Sequence, residues 1–375
     1  MEKMEQTGQQ DEGRIEKIVT HEGIFHTDEV FGEAILKDLF PESMELKAGG
    51  KTDFVEYIRT RDKNVIDKAK QSSTTMVIDT GGEDDFEKFN LDHHQLEGAG
   101  SRENGVNYAT AGLVWKHFGK EWIKYVDVYS RHSTEDKGVI GDKDWMKHID
   151  QDAKDMSLTE EEIGLVWKLI DEQYIQYIDA NDTGQMEDIT CTLSDGTEMN
   201  GKTFSLAEVV RLYNIDTKDG KTHQDRFDSA VEVMRNAIHA AVHKYMDLVE
   251  DLRIFKMERC EFISDNKAVL VKQNISPIAM SYLMDNKEEF KEVEYYAALN
   301  NKGGYSVMVV PIKEGLRQYR NPDMIPVELR LGNNPKEINK IIGIQDGVTF
   351  AHTAGFFASC KNIEASKRFL EYCTK

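Results

Sequence analysis

The sequence has few of the features that mark membrane, secreted or metal-finger proteins. No apolar run approaches the roughly 18–20 residues that cross a bilayer. Residues 1–14 lack both the apolar centre of a signal peptide and the Arg-rich, acid-poor composition of a transit peptide. The four cysteines show no short paired spacing, so neither a disulfide framework nor a zinc finger is expected. We therefore expect a protein of the cytoplasm or nucleus without a membrane partner, and leave the mitochondrion open.

Positive charge is also scarce. Lys and Arg number 47 against 68 Asp and Glu, which gives a net charge of −21. This balance argues against a broad basic face that coats nucleic acid. It allows an enzyme that meets phosphate in a local pocket, where bound divalent cations supply the positive charge.

The length of 375 residues and the 39% hydrophobic content predict two domains with real cores. Short β-rich runs at 15–20 and 76–79 alternate with helical periodicity at 29–40 and 109–118, which indicates an α/β domain with a parallel sheet flanked by helices. After about residue 255 the pattern changes to hairpins, such as 295–299 with 305–310, and a smaller α+β domain is expected.

The predicted boundaries follow from these changes of pattern. A capping box of Ser157 and Glu160 is expected to begin a helix that delivers two aspartates near its end. The predicted segments are a disordered tail at 1–14, a first domain at 15–220 with a charged surface insertion at 131–157, a connecting helix at 221–254, and a second domain at 255–375.

The residues that carry chemistry cluster in the first domain, where predicted strands or helices end. In an open parallel sheet the carboxyl ends of the strands form the active-site crevice, so segments distant in sequence can converge there. The candidates are His21, His26 and Asp28 in THEGIFHTDE, Asp79 in MVIDTGG, Asp92, His93 and His94 in NLDHHQ, and Asp179 and Asp182 in YIDAND.

This mixture of side chains favours a pair of divalent ions. Two ions about 3.5–4 Å apart need carboxylates, at least one of which bridges both. Added imidazoles favour Mn²⁺ or a related transition ion, with Mg²⁺ as the alternative. Such a pair lowers the pKa of a shared water and neutralises phosphoryl oxygens. Each motif alone has an ordinary structural explanation, such as a strand-ending Asp in a turn. Their occurrence in this order is the specific signal.

That order resembles the DHH phosphoesterase superfamily. It resembles more closely the melanocyte-proliferating-gene family, a DHH-like group of metal-dependent exonucleases with the older label "metal-dependent protein hydrolase". The likeness covers most of residues 15–370, and THEGIFHTDE and LDHHQ are its most specific parts. The other matching strings are RTRD, VIDTGGE, AGLVWKHFG and DANDTG, with weaker matches in SLAEVVRLYN and VTFAHTAGFFASCKN. The resemblance implies a DHH-type first domain and a 3′–5′ exonuclease that acts on single-stranded RNA or short oligonucleotides.

The resemblance also implies a role for each candidate. One ion would be held by His21, His26 and Asp79, and the other by Asp28, Asp79, His93 and Asp179, with Asp79 bridging. Asp182 is an alternative to Asp179, and the sequence does not choose between them. His94 would contact the scissile phosphate or give a proton to the leaving oxygen, and Asp92 would orient the neighbouring imidazole. The superfamily has Asp where His26 stands, which we interpret as a change of ligand softness.

Further substrate contacts are expected outside this cluster. His352 and Lys361 match family positions suited to gripping phosphate, in a second domain that would close over the first. The family pattern there is richer in glycine and has a Lys-Thr pair, whereas this chain reads ASCKN at 358–362, which bears on substrate more than on metal chemistry. Arg59 and Arg61 are candidates for bidentate phosphate contacts, although isolated arginines more often pair with acids.

The expected activity is therefore phosphodiester hydrolysis with two divalent ions. One alternative is a phosphatase or pyrophosphatase that acts on a small nucleotide or phosphoanhydride. A second is a non-catalytic metal- or nucleotide-binding module. A protease comes last, because the sequence has no His-Glu-x-x-His motif. The sequence fixes neither the native metal nor the oligomeric state.

Overall fold

The computed structural model of the chain describes residues 15–41, 55–131, 157–186, 191–192, 198–199, 205–215, 218–312 and 318–375. The predicted tail, and the predicted insertion except for its two end residues, lie outside the described residues. The chain divides into two compact units, Met1–Tyr245 and Met246–Lys375. Within the described ranges, no helix combines the length and hydropathy needed to cross a membrane.

The first unit is built on a five-stranded sheet in the order β2-β1-β3-β5-β4. Strand β1 pairs in parallel with β2 and β3, β3 pairs in parallel with β5, and the edge strand β4 is antiparallel. The strands are β1 (Lys17–Thr20), β2 (Glu56–Arg59), β3 (Thr75–Ile78), β4 (Asp84–Asp85) and β5 (Asn90–Leu91); β6 (Cys191–Thr192) and β7 (Glu198–Met199) form a separate antiparallel pair.

Helices of the first unit pack on this sheet and on one another. Helix α1 is buried at every residue except Lys37, and it packs against α3, whose Trp115 and Trp122 are fully buried. The helices are α1 (Thr27–Leu39), α2 (Lys63–Ala69), α3 (Thr110–Arg131), α4 (Glu160–Ile170), α5 (Gln176–Asp182), α6 (Leu206–Tyr213) and α7 (His223–Ile254). A π-helical turn, Asp171–Ile175, joins α4 to α5. Helix α7 runs through the point at which the chain divides into its two units.

The second unit is a six-stranded sheet in the order β12-β13-β11-β10-β9-β8, antiparallel except for the β9–β10 pair. Its strands are β8 (Cys260–Ile263), β9 (Ala268–Asn274), β10 (Tyr295–Leu299), β11 (Tyr305–Val309), β12 (Val348–Ala351) and β13 (Phe357–Cys360), and its helices are α8 (Pro277–Asn286), α9 (Pro335–Ile341) and α10 (Ile363–Cys373). Alternate residues along the strands feed two apolar clusters, one with Tyr295 and Phe369, the other with Tyr296 and Phe290.

The predicted α/β fold with two sheets and flanking helices is confirmed, and the predicted hairpin is the β10–β11 pair. The predicted capping box is wrong by two residues. Thr159 caps α4: its Oγ1 accepts from the Glu162 amide at 3.3 Å, and the Glu162 carboxylate accepts from the Thr159 amide at 2.7 Å. Leu158, buried before the cap, has its amide held by Asp127 at 2.8 Å, which fixes the entry of the chain.

Candidate metal centre

Three adjacent strands deliver side chains to one edge of the first sheet. His21 follows β1, Asp79 follows β3, and Asp92 begins the loop after β5. Because these strands are parallel neighbours, their carboxyl ends lie together. Asp79 has a φ of 54°, the left-handed region that Asp and Asn tolerate best, and its amide donates to the Leu91 carbonyl at 3.0 Å.

Two helix ends complete the cluster. Helix α1 begins with Asp28 and Glu29 in its first turn, directly after His26. The Glu29 carboxylate accepts from the His26 amide at 2.8 Å, which fixes the start of the helix. Asp182 is the last residue of α5.

The shortest contacts join residues from different segments. His93 Nε2 lies 3.2 Å from Asp182 Oδ2, 3.3 Å from Asp79 Oδ1 and 3.6 Å from Asp28 Oδ2. His21 Nε2 lies 2.9 Å from Glu29 Oε1 and 3.1 Å from Asp79 Oδ2. His26 Nδ1 lies 3.4 Å from Asp182 Oδ1. Imidazoles and carboxylates that are far apart in sequence therefore meet at one place.

Several polar atoms in this cluster are buried without a hydrogen-bond partner in the described part of the chain. They are Asp28 Oδ1, Glu29 Oε1, Asp79 Oδ2 and His93 Nε2. His21 Nε2 is the imidazole nitrogen next to two of them, 2.9 Å from Glu29 Oε1 and 3.1 Å from Asp79 Oδ2. Buried polar atoms that face one another without a partner are costly unless a cation satisfies them, so this donor set fits a metal ion.

Three groups of side chains have ligand atoms within 4.8 Å of one another, among the residues described: His21, Glu29 and Asp79; Asp79, Asp92, His93 and His94; and His26, Asp28 and Asp182. Asp79 belongs to two of the groups.

Burial and mutual charge set the electrostatics of the cluster. Burial, with the charges of Asp79 and Asp182, raises the pKa of Asp28 well above its usual range. Burial also raises the pKa of Glu29 to about 8. Burial disfavours charge on His21, but the contacts with Asp79 and Glu29 outweigh it and raise the pKa of His21 to about 10. The raised pKa values of Asp28 and Glu29 have their cause in burial and in neighbouring carboxylates, and a bound divalent cation would relieve both.

His94 and Asp92 form a hydrogen-bonded pair beside the buried cluster. His94 Nδ1 lies 2.7 Å from Asp92 Oδ1, and the His94 side chain is 54% exposed. Asp92 is itself buried and accepts from the Gly82 amide at 2.5 Å. The contact with Asp92 raises the pKa of His94. Asp92 thus orients an imidazole whose outer edge is open to solvent.

Asp179 lies on the same helix as Asp182 but has different partners. Its carboxylate accepts from Arg102 Nη1 at 2.7 Å and from the Gly112 amide at 2.8 Å. It belongs to none of the three ligand groups found among the described residues.

The two candidate arginines have different surroundings. The Arg59 guanidinium lies 3.9 Å from the centre of the Phe227 ring and donates to the Gly23 carbonyl at 3.1 Å, so it holds the loop between His21 and His26. Arg61 is exposed, and its Nη2 lies 3.4 Å from His21 Nδ1.

The other two candidates lie in the second unit. His352 Nδ1 accepts from the Ala354 amide at 3.0 Å, in the turn between β12 and β13, and its ring lies 4.4 Å from that of Phe356. Lys361 forms an exposed ion pair with Asp346 at 2.8 Å.

Sequence reasoning missed three residues of this region. Glu29 was detectable, because Glu at the third position of a helix is a capping signal. Thr110 begins α3, where its hydroxyl donates to Asp79 at 3.0 Å and its amide donates to Asp28 at 3.3 Å. Arg102 lies in a loop, and no local pattern pointed to its buried partners.

The fold and the cluster together define a class: an α/β protein in two units, with a His and carboxylate centre of metal-binding type at the carboxyl edge of a parallel sheet. Residues 17–372 match the MYG1 exonuclease family model, described as an uncharacterised protein family, UPF0160. The chain belongs to the MYG1 family, which confirms the family resemblance seen in the sequence.

Relatives of this family align along different lengths of the chain. The MYG1 protein of Dictyostelium discoideum is 25% identical over 363 residues, which is 93% of each chain. The MYG1 exonuclease of Bos taurus is 31% identical over 159 residues, 40% of this chain and 37% of its own. The MYG1 exonuclease of Homo sapiens is 35% identical over 114 residues, 28% and 26% of the two chains.

Proposed function

We propose that the first unit hydrolyses phosphodiester bonds with two divalent metal ions in a DHH-type arrangement, as a 3′–5′ exonuclease on single-stranded RNA or short oligonucleotides. The observation that carries the proposal is the meeting of His21, Asp28, Asp79 and His93, with buried atoms that have no hydrogen-bond partner among the described residues. The mammalian relatives are named exonucleases, which supports a nucleic-acid substrate.

The three ligand groups support one division of the residues between the ions. We assign His21, Glu29 and Asp79 to one ion, and Asp28, Asp79, His93 and Asp182 to the other, with His26 beside Asp182. The mixture of imidazole and carboxylate favours Mn²⁺, with Mg²⁺ as the alternative. When bound, two such ions supply a water of lowered pKa and neutralise phosphoryl oxygens.

The residues around the ions provide orientation and proton transfer. His94, held by Asp92 and open to solvent, contacts the scissile phosphate or gives a proton to the leaving oxygen. Arg61 is exposed beside His21 and contacts a substrate phosphate, whereas Arg59 positions the loop that carries His21 and His26. His352 and Lys361 stay proposed substrate contacts of the second unit.

The direct test is cleavage of a 5′-labelled single-stranded RNA by the full chain with Mn²⁺. We expect shortening from the 3′ end that falls on the order of 10³-fold in Asp79→Asn and His93→Ala, because each substitution removes a proposed ligand. Asn is chosen at position 79 because it tolerates the left-handed backbone there. Asp85→Asn and His117→Ala change the same residue types outside the cluster and are expected to keep the activity.

Three outcomes would count against the proposal. Cleavage that is undiminished in both cluster variants would place the chemistry elsewhere. Equal turnover of pyrophosphate and RNA would favour a phosphoanhydride hydrolase. Cleavage of a 3′-blocked RNA at internal positions would contradict exonuclease action from that end.

A further inference from the structure

A buried ion-pair cluster lies behind the proposed metal centre, in the first unit. Arg102 meets Asp171 and Asp179 there, and the side chains of all three are at most 9% exposed. We propose that these residues form a clamp that positions Asp182 against His93, and that Asp179 acts through this clamp and not as a metal ligand. The inference rests on the proposed function, since the ligand that it positions is part of that metal centre.

The guanidinium of Arg102 donates hydrogen bonds to both carboxylates. Its Nε and Nη2 donate to the Asp171 carboxylate at 2.9 Å and 2.7 Å, in the bidentate geometry that Arg favours. Its Nη1 donates to Asp179 at 2.7 Å, and the planar group lies 4.3 Å from the centre of the Tyr108 ring. Such a fork fixes two carboxylates relative to each other.

Both carboxylate oxygens of Asp179 already accept hydrogen bonds from the protein. One oxygen accepts from the Gly112 amide at 2.8 Å and the other from Arg102. The backbone of α3 approaches so closely that a Cβ at position 112 would lie 1.9 Å from Asp179 Oδ2, a contact that only glycine permits. The carboxylate is therefore enclosed by α3 and Arg102.

The π-helical turn brings the two clamped aspartates onto one face. Asp171 and Asp179 are eight residues apart, and in a regular α-helix they would be rotated by about 80°. A π-turn absorbs one extra residue, about 100° of rotation, so the two side chains return to within about 20° of each other. Asp182 follows Asp179 by three residues and lies nearly one turn further along the same face.

The clamp joins the two segments that meet at the proposed second ion. Arg102 belongs to the connection between β5 and α3, which also carries His93. Asp171 is the first residue of the π-turn, and Asp179 lies in α5, the helix that ends at Asp182. His93 and Asp182 approach to 3.2 Å, so a shift of either segment would separate them. The clamp therefore holds this half of the metal centre and leaves the half formed by His21 and Glu29 untouched.

Calorimetric titration of the full chain with Mn²⁺ tests the clamp. We expect Arg102→Met and Asp171→Asn to weaken one of two bound ions about 10-fold or more and to leave the other unchanged. Arg102→Lys keeps the charge but loses the bidentate geometry, so we expect its loss of Mn²⁺ affinity to be intermediate. If Asp179 were a ligand, Arg102→Met would free it and tighten Mn²⁺ binding, so the two assignments predict opposite signs.

A matched control separates positioning from general destabilisation. Asp38 is also buried and accepts from Trp122, Arg235 and His239, in an ion-pair cluster elsewhere in the same unit. Asp38→Asn is expected to lower the melting temperature without changing either Mn²⁺ affinity. If Arg102→Met fails to fold, the Mn²⁺ affinities of Asp171→Asn and Arg102→Lys are compared with that of the control instead.

The outcomes distinguish the clamp from the proposed function. Arg102→Met or Asp171→Asn with unchanged or tighter Mn²⁺ binding would overturn the clamp. An unsubstituted chain that binds Mn²⁺ but cleaves no RNA would overturn the proposed function, while the affinities of the variants would still decide the clamp. An unsubstituted chain that binds no Mn²⁺ would overturn both.

Discussion

His94 and Asp92 show how two residues of one motif can have separate tasks. Both follow β5, yet Asp92 is buried and holds the half-exposed ring of His94 at 2.7 Å. Their neighbour His93 points instead to the carboxylates of Asp28, Asp79 and Asp182. The motif therefore divides into one proposed ligand, one proposed phosphate contact or proton donor, and one carboxylate that orients it.

Because the two residues have different proposed roles, their substitution should lower kcat by different factors. His94→Gln should lower kcat by about 10²–10⁴-fold, because the proton donor is lost. Asp92→Asn should lower kcat by about 10–100-fold, because the donor is present but poorly oriented. Single-turnover RNA cleavage measures both losses, and Mn²⁺ stoichiometry should stay at two in each variant. A loss of one ion in His94→Gln would instead make His94 a ligand.

At the scale of secondary structure, the first turn of α3 serves three carboxylates. Thr110 donates from its hydroxyl to Asp79 and from its amide to Asp28, and the Gly112 amide donates to Asp179. The start of a helix also carries the positive end of the helix dipole, which favours nearby negative charge. This 22-residue helix therefore anchors all three carboxylates through its first turn.

Thr110→Val tests that anchoring. The residue is fully buried, and valine keeps its shape while it removes the donor to Asp79. We expect Mn²⁺ to bind about 10-fold more weakly and the free energy of unfolding to fall by about 1–3 kcal/mol. Thr110→Ser keeps the hydroxyl and should retain most of the affinity, as titration and thermal melting would show. Equal affinities in the valine variant and the unsubstituted chain would contradict the anchoring role.

The elements also show what the sequence could and could not predict. Local apolar runs and helical periodicity predicted β1, β3, α1 and α3, and the strand-end rule brought distant motifs together. The different surroundings of Asp179 and Asp182 were not predictable, because they depend on a π-turn at 171–175 that has no sequence signature of its own. Arg102 was missed for a similar reason: its role comes entirely from tertiary partners.

At the scale of the whole molecule, the charge of −21 limits how nucleic acid can be held. Of the two candidate arginines near the cluster, Arg59 packs on an aromatic ring, whereas Arg61 is exposed beside His21. Such a distribution fits the capture of a strand end more than contact with a long backbone.

End capture predicts a shallow salt dependence. The affinity for a single-stranded RNA with phosphorothioate linkages, which slow cleavage, should fall with salt with a logarithmic slope of about 2 or less, since each neutralised phosphate contributes about 0.7. Fluorescence anisotropy with RNAs of increasing length should give nearly constant Kd values. A slope of about 5 or more, or a Kd that tightens steadily with length, would indicate a backbone-tracking surface instead.

The strands of the first sheet are shortest next to the loop that carries the most candidate site residues. Strands β4 and β5 contain two residues each, and the loop after β5 carries Asp92, His93 and His94. Two-residue strands form few backbone hydrogen bonds, so this edge of the sheet has little rigidity of its own. Its order depends on the groups that neutralise the carboxylates of the cluster. On the proposed function, the bound ions would balance those carboxylates, so a chelating buffer would loosen this edge of the sheet. Batches should therefore be incubated with Mn²⁺ in the same way before their activities are compared.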